Sequence, residues 1–559
     1  MTKYKANKDK EFKNGSGIGS VKLTRMSIND LVVLGKIWGF LKYYHPAIAA
    51  GNHHWDFELF RVLPEILDSR TKAKRNSVLS SWLKDLGPFL IASGKKKPAR
   101  NIKLRPDLRW IKSRTFGEKL TQQLNRVGLA KRSDENYYVA LDPGAGNPRF
   151  DHEDAYESML YPDTGFRILS LFRYWNIIQY FFPHRHLIAE GWNNVLPAFI
   201  ARFVDAPDKL EYTKTVLALI ARVHDTHANI WGMNETLERY RGINAAPVST
   251  RFVEDKAVVA RFLDQARAKK SGVEIGDVIE TINGQNVDDI VSERLDLTPA
   301  SNYTTQLRDV ACGLLRTNDP SLEITFTRGG GAVRKARLKC YPNNKLKVHP
   351  SDVLDHPRTA FRQAAAGISY LYPGCLKPGE IDRLIPKFAR NKGLIIDLRT
   401  YPSDFIVYSL GEFLMPKATP YFRISMASIE TPGQFTLEDA LTVGKDNAEY
   451  YKGKVVILIN EITQSQAEFT AMAFRKAPRA TVIGGTTAGA DGNISPFYLP
   501  GGIRTMISGI GIYYPDGKET QRIGIIPDIV VNPTIKGIAA RKDELLDKAI
   551  EIAGQDQHR

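Results

Sequence analysis

The chain has 559 residues, 43% hydrophobic, 10% aromatic and 25% charged, an ordinary globular composition with room for about three or four domains. No run approaches the ~18–20 consecutive apolar residues of a membrane span, and three scattered cysteines (Cys312, Cys340, Cys375) exclude a disulfide framework or a zinc knuckle. The net charge of +17 is spread widely, densest at Lys95-Lys96-Lys97, Arg100, Lys103 and Arg105; without a nucleic-acid-binding motif it reads as a solvated basic surface, and no nucleic-acid partner is expected.

Residues 1–27 form a polar, Lys-rich leader without the apolar core of a signal peptide. The sequence as written therefore points to the cytoplasm, or to the cell envelope or periplasm if an export signal has been removed. A helical region with its connector spans 28–165. Leu34, Ile37, Trp38, Phe40, Leu41 and Tyr44 line one helical face, Pro46 ends that helix, and a second begins near Trp55. Trp38–Pro46–Trp55 recurs at identical spacing as Trp175–Pro183–Trp192, which predicts a duplicated helical hairpin. The intervening stretch, 95–163, reads as a connector with little core of its own.

The second repeat, 166–245, ends in a helix over about 211–223 and the run His224-Asp225-Thr226-His227. Two histidines three apart suit a metal, but no further His, Cys or carboxylate clusters with them, so neither a metal nor another cofactor is expected. His227 reads as a general base and His224 as a base or a helix C-cap. Residues 246–345 hold mixed short strands and the unit Gly276-Asp-Val-Ile-Glu-Thr-Ile-Asn-Gly284, which resembles the signature of PDZ domains, with Asn283-Gly284 as a tight hairpin turn. From 346 to 559 the pattern is α/β. Gly393 to Arg399 is a buried strand with a charged end, and Lys454 to Asn460 is a second. That second strand runs through Ser465 into a helix, then through a strand at Ala480–Ile483 into the glycine-rich loop 484–492. A serine at such a strand-to-helix turn is either an N-cap or a nucleophile beside free N–H groups.

Three motifs are similar to those of the tail-specific, carboxy-terminal processing serine peptidases: Gly393-Leu-Ile-Ile-Asp-Leu-Arg399, Thr463-Gln-Ser-Gln-Ala-Glu468, and Gly524-Ile-Ile-Pro-Asp-Ile529. The resemblance implies a crotonase/ClpP-like superhelical α/β core, joined to the PDZ-like domain and the helical region. It also implies hydrolysis of protein or peptide substrates near unstructured or C-terminal segments. Ala490 stands where many members place a dyad lysine, so the tricorn-like branch with serine, histidine and glutamate is the nearer one. That branch implies Ser465 as nucleophile, His227 as base with Thr226 in support, and Glu519 as the acid. Gln521 lies nearest the family's acid position by count, and Asp491 and Glu468 are competing carboxylates. The oxyanion hole would use the Gln466 amide and the amide of Ser403, where relatives have Gly-Gly and this chain has Pro402-Ser403-Asp404. The alternative is a catalytically inactive binding protein of the same fold, taking a lipophilic ligand or a peptide. Oligomerisation is left open.

Overall fold

The computed structural model describes residues 4–93, 100–346, 349 and 357–555. The Lys95-Lys96-Lys97 patch lies outside them. Helix α1 (Arg25–Tyr44) starts at a Thr24–Ser27 capping box and stops at His45-Pro46, because proline cannot extend the N–H ladder. Then come α2 (Trp55–Leu67), α3 (Lys72–Asp85), α4 (Gly117–Gly128), α5 (Thr164–Phe181), α6 (Trp192–Val204) and α7 (Lys209–Ala221). The expectation that 95–163 has little core is corrected by α4. Its Leu120, Leu124 and Val127, spaced i, i+4, i+7, are buried in the helical core beside α3.

The repeated tryptophan spacing has a counterpart in the packing. Trp38 Nε1 donates to the Trp55 carbonyl at 3.0 Å and Trp55 Nε1 to that of Trp38 at 2.9 Å. Trp175 and Trp192 make the same reciprocal pair, both bonds 2.9 Å. Each indole thus finds a partner for its buried N–H, and each pair stacks at about the same separation. Aligning the tryptophans makes Gly39 equivalent to Asn176 and Tyr43 to Tyr180. These equivalent residues touch: the Tyr43 and Tyr180 rings meet edge-on at 5.5 Å, and a Cβ on Gly39 would run into the Asn176 amide. Contact between equivalent positions is what a local two-fold axis requires. At the crossing, Asn176 Nδ2 donates to the carbonyls of Gly35 (3.0 Å) and Phe172 (2.8 Å). A buried ionic cluster lies beside it, with Lys42–Glu153 at 2.6 Å, Arg173–Asp56 at 2.6 Å and Arg173–Glu153 at 2.7 Å.

Helix α8 (Glu235–Arg241) leads into an antiparallel sheet of β1 (Val248–Val253), β2 (Lys256–Phe262), β3 (Val278–Ile282), β4 (Ser321–Thr327) and β5 (Arg334–Lys339), in the order β5-β4-β3-β2-β1. Asn283 and Gly284, both at positive φ, make the turn after β3. Helices α9 (Val287–Leu295) and α10 (Tyr303–Gly313) complete this unit, α10 against β1.

The C-terminal part comprises β6 (Phe361–Ala365), β7 (Ile368–Leu371), α11 (Glu380–Phe388), β8 (Gly393–Asp397), α12 (Val407–Leu414), β9 (Thr419–Ala427), β10 (Lys454–Ile459), α13 (Gln466–Phe474) and β11 (Ala480–Gly484). It closes with β12 (Ile494–Leu499), β13 (Ile503–Ser508), β14 (Gly511–Tyr513), β15 (Ile529–Val530) and α14 (Glu544–Gly554). The central sheet has the order β6-β7-β8-β10-β11-β15, parallel except for the β6/β7 pair. On β10, Val455, Ile457 and Ile459 pack towards α11, α12 and α13, while Val456 and Leu458 pack towards α14. Burial on both faces explains the unbroken apolar run. The β12–β13 hairpin fuses the two halves. Phe497, Leu499, Ile503 and Ile507 belong to the helical core, and Ile230–Trp231 adds a third strand to β13.

Candidate functional site

The loops leaving the carboxyl ends of β8, β10 and β11 converge, and this is where open parallel sheets present their chemistry. Ser465 follows β10 and immediately precedes α13, with φ 55° and ψ −120°. A non-glycine residue tolerates that conformation only where its surroundings hold it. Here the Ser465 amide donates to the Ala490 carbonyl (3.0 Å) and to Glu468 Oε2 (3.1 Å). Glu468 also accepts from the Thr487 hydroxyl and the amides of Gly489 and Ala490, so it staples the turn to the glycine-rich loop. As a competing acid it is fully spent there. The resulting sharp strand-to-helix turn is the shape that exposes a nucleophile in strand–turn–helix hydrolases. Tyr401, which is 59% exposed, lines the same cavity as Ser465.

Ser465 and His227 line one cavity of about 1770 Å³. His227 is carried by the segment joining α7 to the strand on β13. Its backbone donates to Asp225 Oδ1 (3.1 Å), and its Nδ1 lies 2.9 Å from Ser508 Oγ and 3.8 Å from Asp225 Oδ1. Asp225 is fully buried and accepts from the Ser508 amide (2.7 Å), the Ser508 hydroxyl (3.0 Å) and Gln521 Nε2 (3.3 Å). Burial lowers the His227 pKa and the Asp225 charge opposes that shift. The imidazole is therefore neutral at pH 7, with Nδ1 held from behind. No hydrogen bond occupies Nε2 among the described residues, so it is available to take a proton in the cavity.

The structure rearranges several of the expected roles. Glu519 does not reach His227. It binds Lys103 (2.8 Å), His186 (3.0 Å) and His184 (3.5 Å), and these cationic and hydrogen-bonding neighbours hold its carboxyl well below the usual range despite burial. Gln521, nearest the family's acid position by count, reaches Asp225 and carries no charge itself. Asp491 is also displaced from the acid role. One oxygen accepts from the Gly492 amide, the other is buried without a partner among the described residues, and burial with nearby Glu468 raises its pKa well above its ordinary value. Thr226 bridges the parts: its hydroxyl donates to the Ala488 carbonyl (3.0 Å) and accepts from the Ser301 amide (2.9 Å). The Ser403 amide is already bonded to the Pro373 carbonyl (3.1 Å), which removes it as an oxyanion donor. The Gln466 and Tyr401 amides have no acceptor among the described residues, and Tyr401 lines the cavity. Sequence reasoning missed Asp225, Ser508 and Tyr401. Only Asp225 left a signal, two residues before His227 in the same short run.

Comparison with known proteins bears on the C-terminal part above all. The peptidase family S41 model matches residues 374–531. Tricorn protease of Thermoplasma acidophilum is 23% identical over 242 residues, 41% of this chain and 21% of that protein. The chain thus spans about a fifth of the curated relative it matches. Mature CPAF complexed with lactacystin has a TM-score of 0.55 at 14% identity, covering 70% of this chain and 99% of that one. Mature CPAF alone gives 0.54 over the same shares. At such identity the likeness is one of fold. Residues 374–531 thus match the peptidase family S41 model, and the three motifs within that stretch resemble those of the tail-specific peptidases.

Proposed function

We propose that this protein is a serine peptidase that cleaves peptide bonds near unstructured or C-terminal segments of protein substrates. The observation that carries the reading is Ser465, held in a strained strand-to-helix turn on the same cavity as a neutral His227 anchored from behind. Ser465 Oγ attacks the scissile carbonyl carbon while His227 Nε2 takes its proton. The tetrahedral intermediate collapses to an acyl-enzyme as that proton passes to the leaving amine. Water then repeats the sequence with His227 as base, releasing the acid and free Ser465. The Gln466 and Tyr401 amides are the donors for the oxyanion, in place of the occupied Ser403 amide. Asp225 acts through the Ser508 hydroxyl to orient His227 and stabilise the imidazolium, the part expected of Glu519.

In this reading residues 346–559 form a crotonase/ClpP-like core, and residues 246–345 a PDZ-like domain. Residues 1–27, 28–165 and 166–245 are the leader, the first helical region with its connector, and the second repeat that delivers His227. Thr226 is a positioning residue at the junction of all three bodies. The test is covalent labelling by a fluorophosphonate probe, with cleavage of an unfolded protein substrate alongside. Labelling of the wild type, lost in Ser465→Ala and in His227→Ala, is the expected result. A folded wild type that neither labels nor cleaves refutes it.

A further inference from the structure

The cavity extends from Ser465 and His227 between α8, the β3 turn, α9 and α10, and its far wall is rich in arginine. Arg316 is paired with Glu238 (2.7 Å), and Arg308 with Asp309 (2.8 Å) and the Glu461 carbonyl (2.9 Å). Arg294 donates to the Gly313 carbonyl (2.8 Å) and has no carboxylate within ion-pair distance among the described residues. Arg241, the last residue of α8, has neither an ion pair nor a side-chain hydrogen bond among them. Both guanidinium groups are pulled below their ordinary range, first by burial, with Arg316 adding to the shift. Half-buried cations without counter-ions are costly unless a ligand brings the charge.

We propose that Arg241 and Arg294 form a carboxylate-recognition subsite of this cavity, taking the carboxylate of a bound peptide from an acidic side chain or from the C-terminus. Glu238 and Asp309 share the wall but are neutralised by their own arginines, and Glu293, whose charge acts on Arg294, offsets one more cation, which leaves room for one singly charged group. Arginine presents the planar donor fork that such a group accepts. The subsite deepens the peptidase reading, and its test does not depend on turnover.

The test uses the full chain as Ser465→Ala and one fluorescent peptide in four forms: Glu or Gln at one internal position, each with a free or amidated C-terminus. Anisotropy titrations should show a carboxylate preference of at least about tenfold, weakening with salt. Arg241→Gln and Arg294→Gln should each reduce that ratio towards one, while the corresponding Lys variants retain part of it. Which peptide form carries the preference identifies the source of the carboxylate. No preference in the parent, or a preference surviving both Gln variants with unchanged thermal unfolding, overturns the proposal. Fluorophosphonate labelling of the wild type reports separately on the peptidase reading.

Discussion

Replacing Asp225 by Asn keeps the shape of a fully buried side chain and removes the only carboxylate within ion-pair distance of His227 among the described residues. The Asp225–Nδ1 distance is 3.8 Å. A unit charge at that distance is worth about 4 kcal/mol to an imidazolium at an effective dielectric of about 20. At about 1.4 kcal/mol per decade this caps the rate loss near 10³-fold. Because Ser508 intervenes and the amide keeps some hydrogen bonding, a fall of roughly 10²–10³ in kcat, with little change in KM, is the expected outcome. A pH–rate profile separates this from a folding defect. Losing the Asp225 charge removes the one influence that raises the His227 pKa, so the acidic limb should move to lower pH even as the plateau drops. Glu519→Gln should leave both kcat and the limb close to wild type. If Asp225→Asn stays within threefold of wild type while Glu519→Gln loses activity, the assignment of the acid is wrong.

Ser508→Ala should lower the labelling rate of Ser465 by roughly 10-fold or more, since the hydroxyl between His227 and Asp225 is lost; a rate equal to wild type would exclude the relay. Gly39→Ala should destabilise the helical region by more than about 3 kcal/mol, because the new Cβ meets the Asn176 amide at the two-fold crossing; a thermal midpoint within a degree of wild type would refute that packing. Burial depresses the His45 pKa to about 4, below its unfolded value near 6.5. The unfolded chain takes up that proton first, so the stability this histidine contributes is complete above pH 6.5 and is lost as pH falls towards 4. The loss amounts to roughly 3 kcal/mol, and His45→Gln should flatten that part of a stability–pH curve measured by urea unfolding. Trp55→Phe should cost about 2 kcal/mol or more by breaking one reciprocal indole bond, read as a lower thermal midpoint.

The sequence by itself determined the local elements and the motif-bearing loops. Two-sided burial wrote β8 and β10 as unbroken apolar runs, and the repeated tryptophan spacing announced the paired helical hairpins. Ser465 was legible because strand, turn, serine and helix are contiguous, so short-range periodicity and capping chemistry suffice to place it. His227 was legible from a short motif. Helix α4 was partly legible, but its three apolar residues sit among Gly- and Pro-rich flanks that read as connector.

Only the tertiary structure decided which carboxylate stands behind His227. Asp225 and Ser508 are 283 residues apart and meet because Ile230–Trp231 joins the edge of β13. No spacing rule relates them. Glu519 was the reasonable choice along the chain, yet Lys103, His184 and His186 from the connector and the second repeat claim it in space. Ser403 lost its role for the same reason, since its amide is consumed by Pro373 from a neighbouring turn. A hydrogen-bonding group can be spent only once, and which partner takes it depends on how distant segments dock.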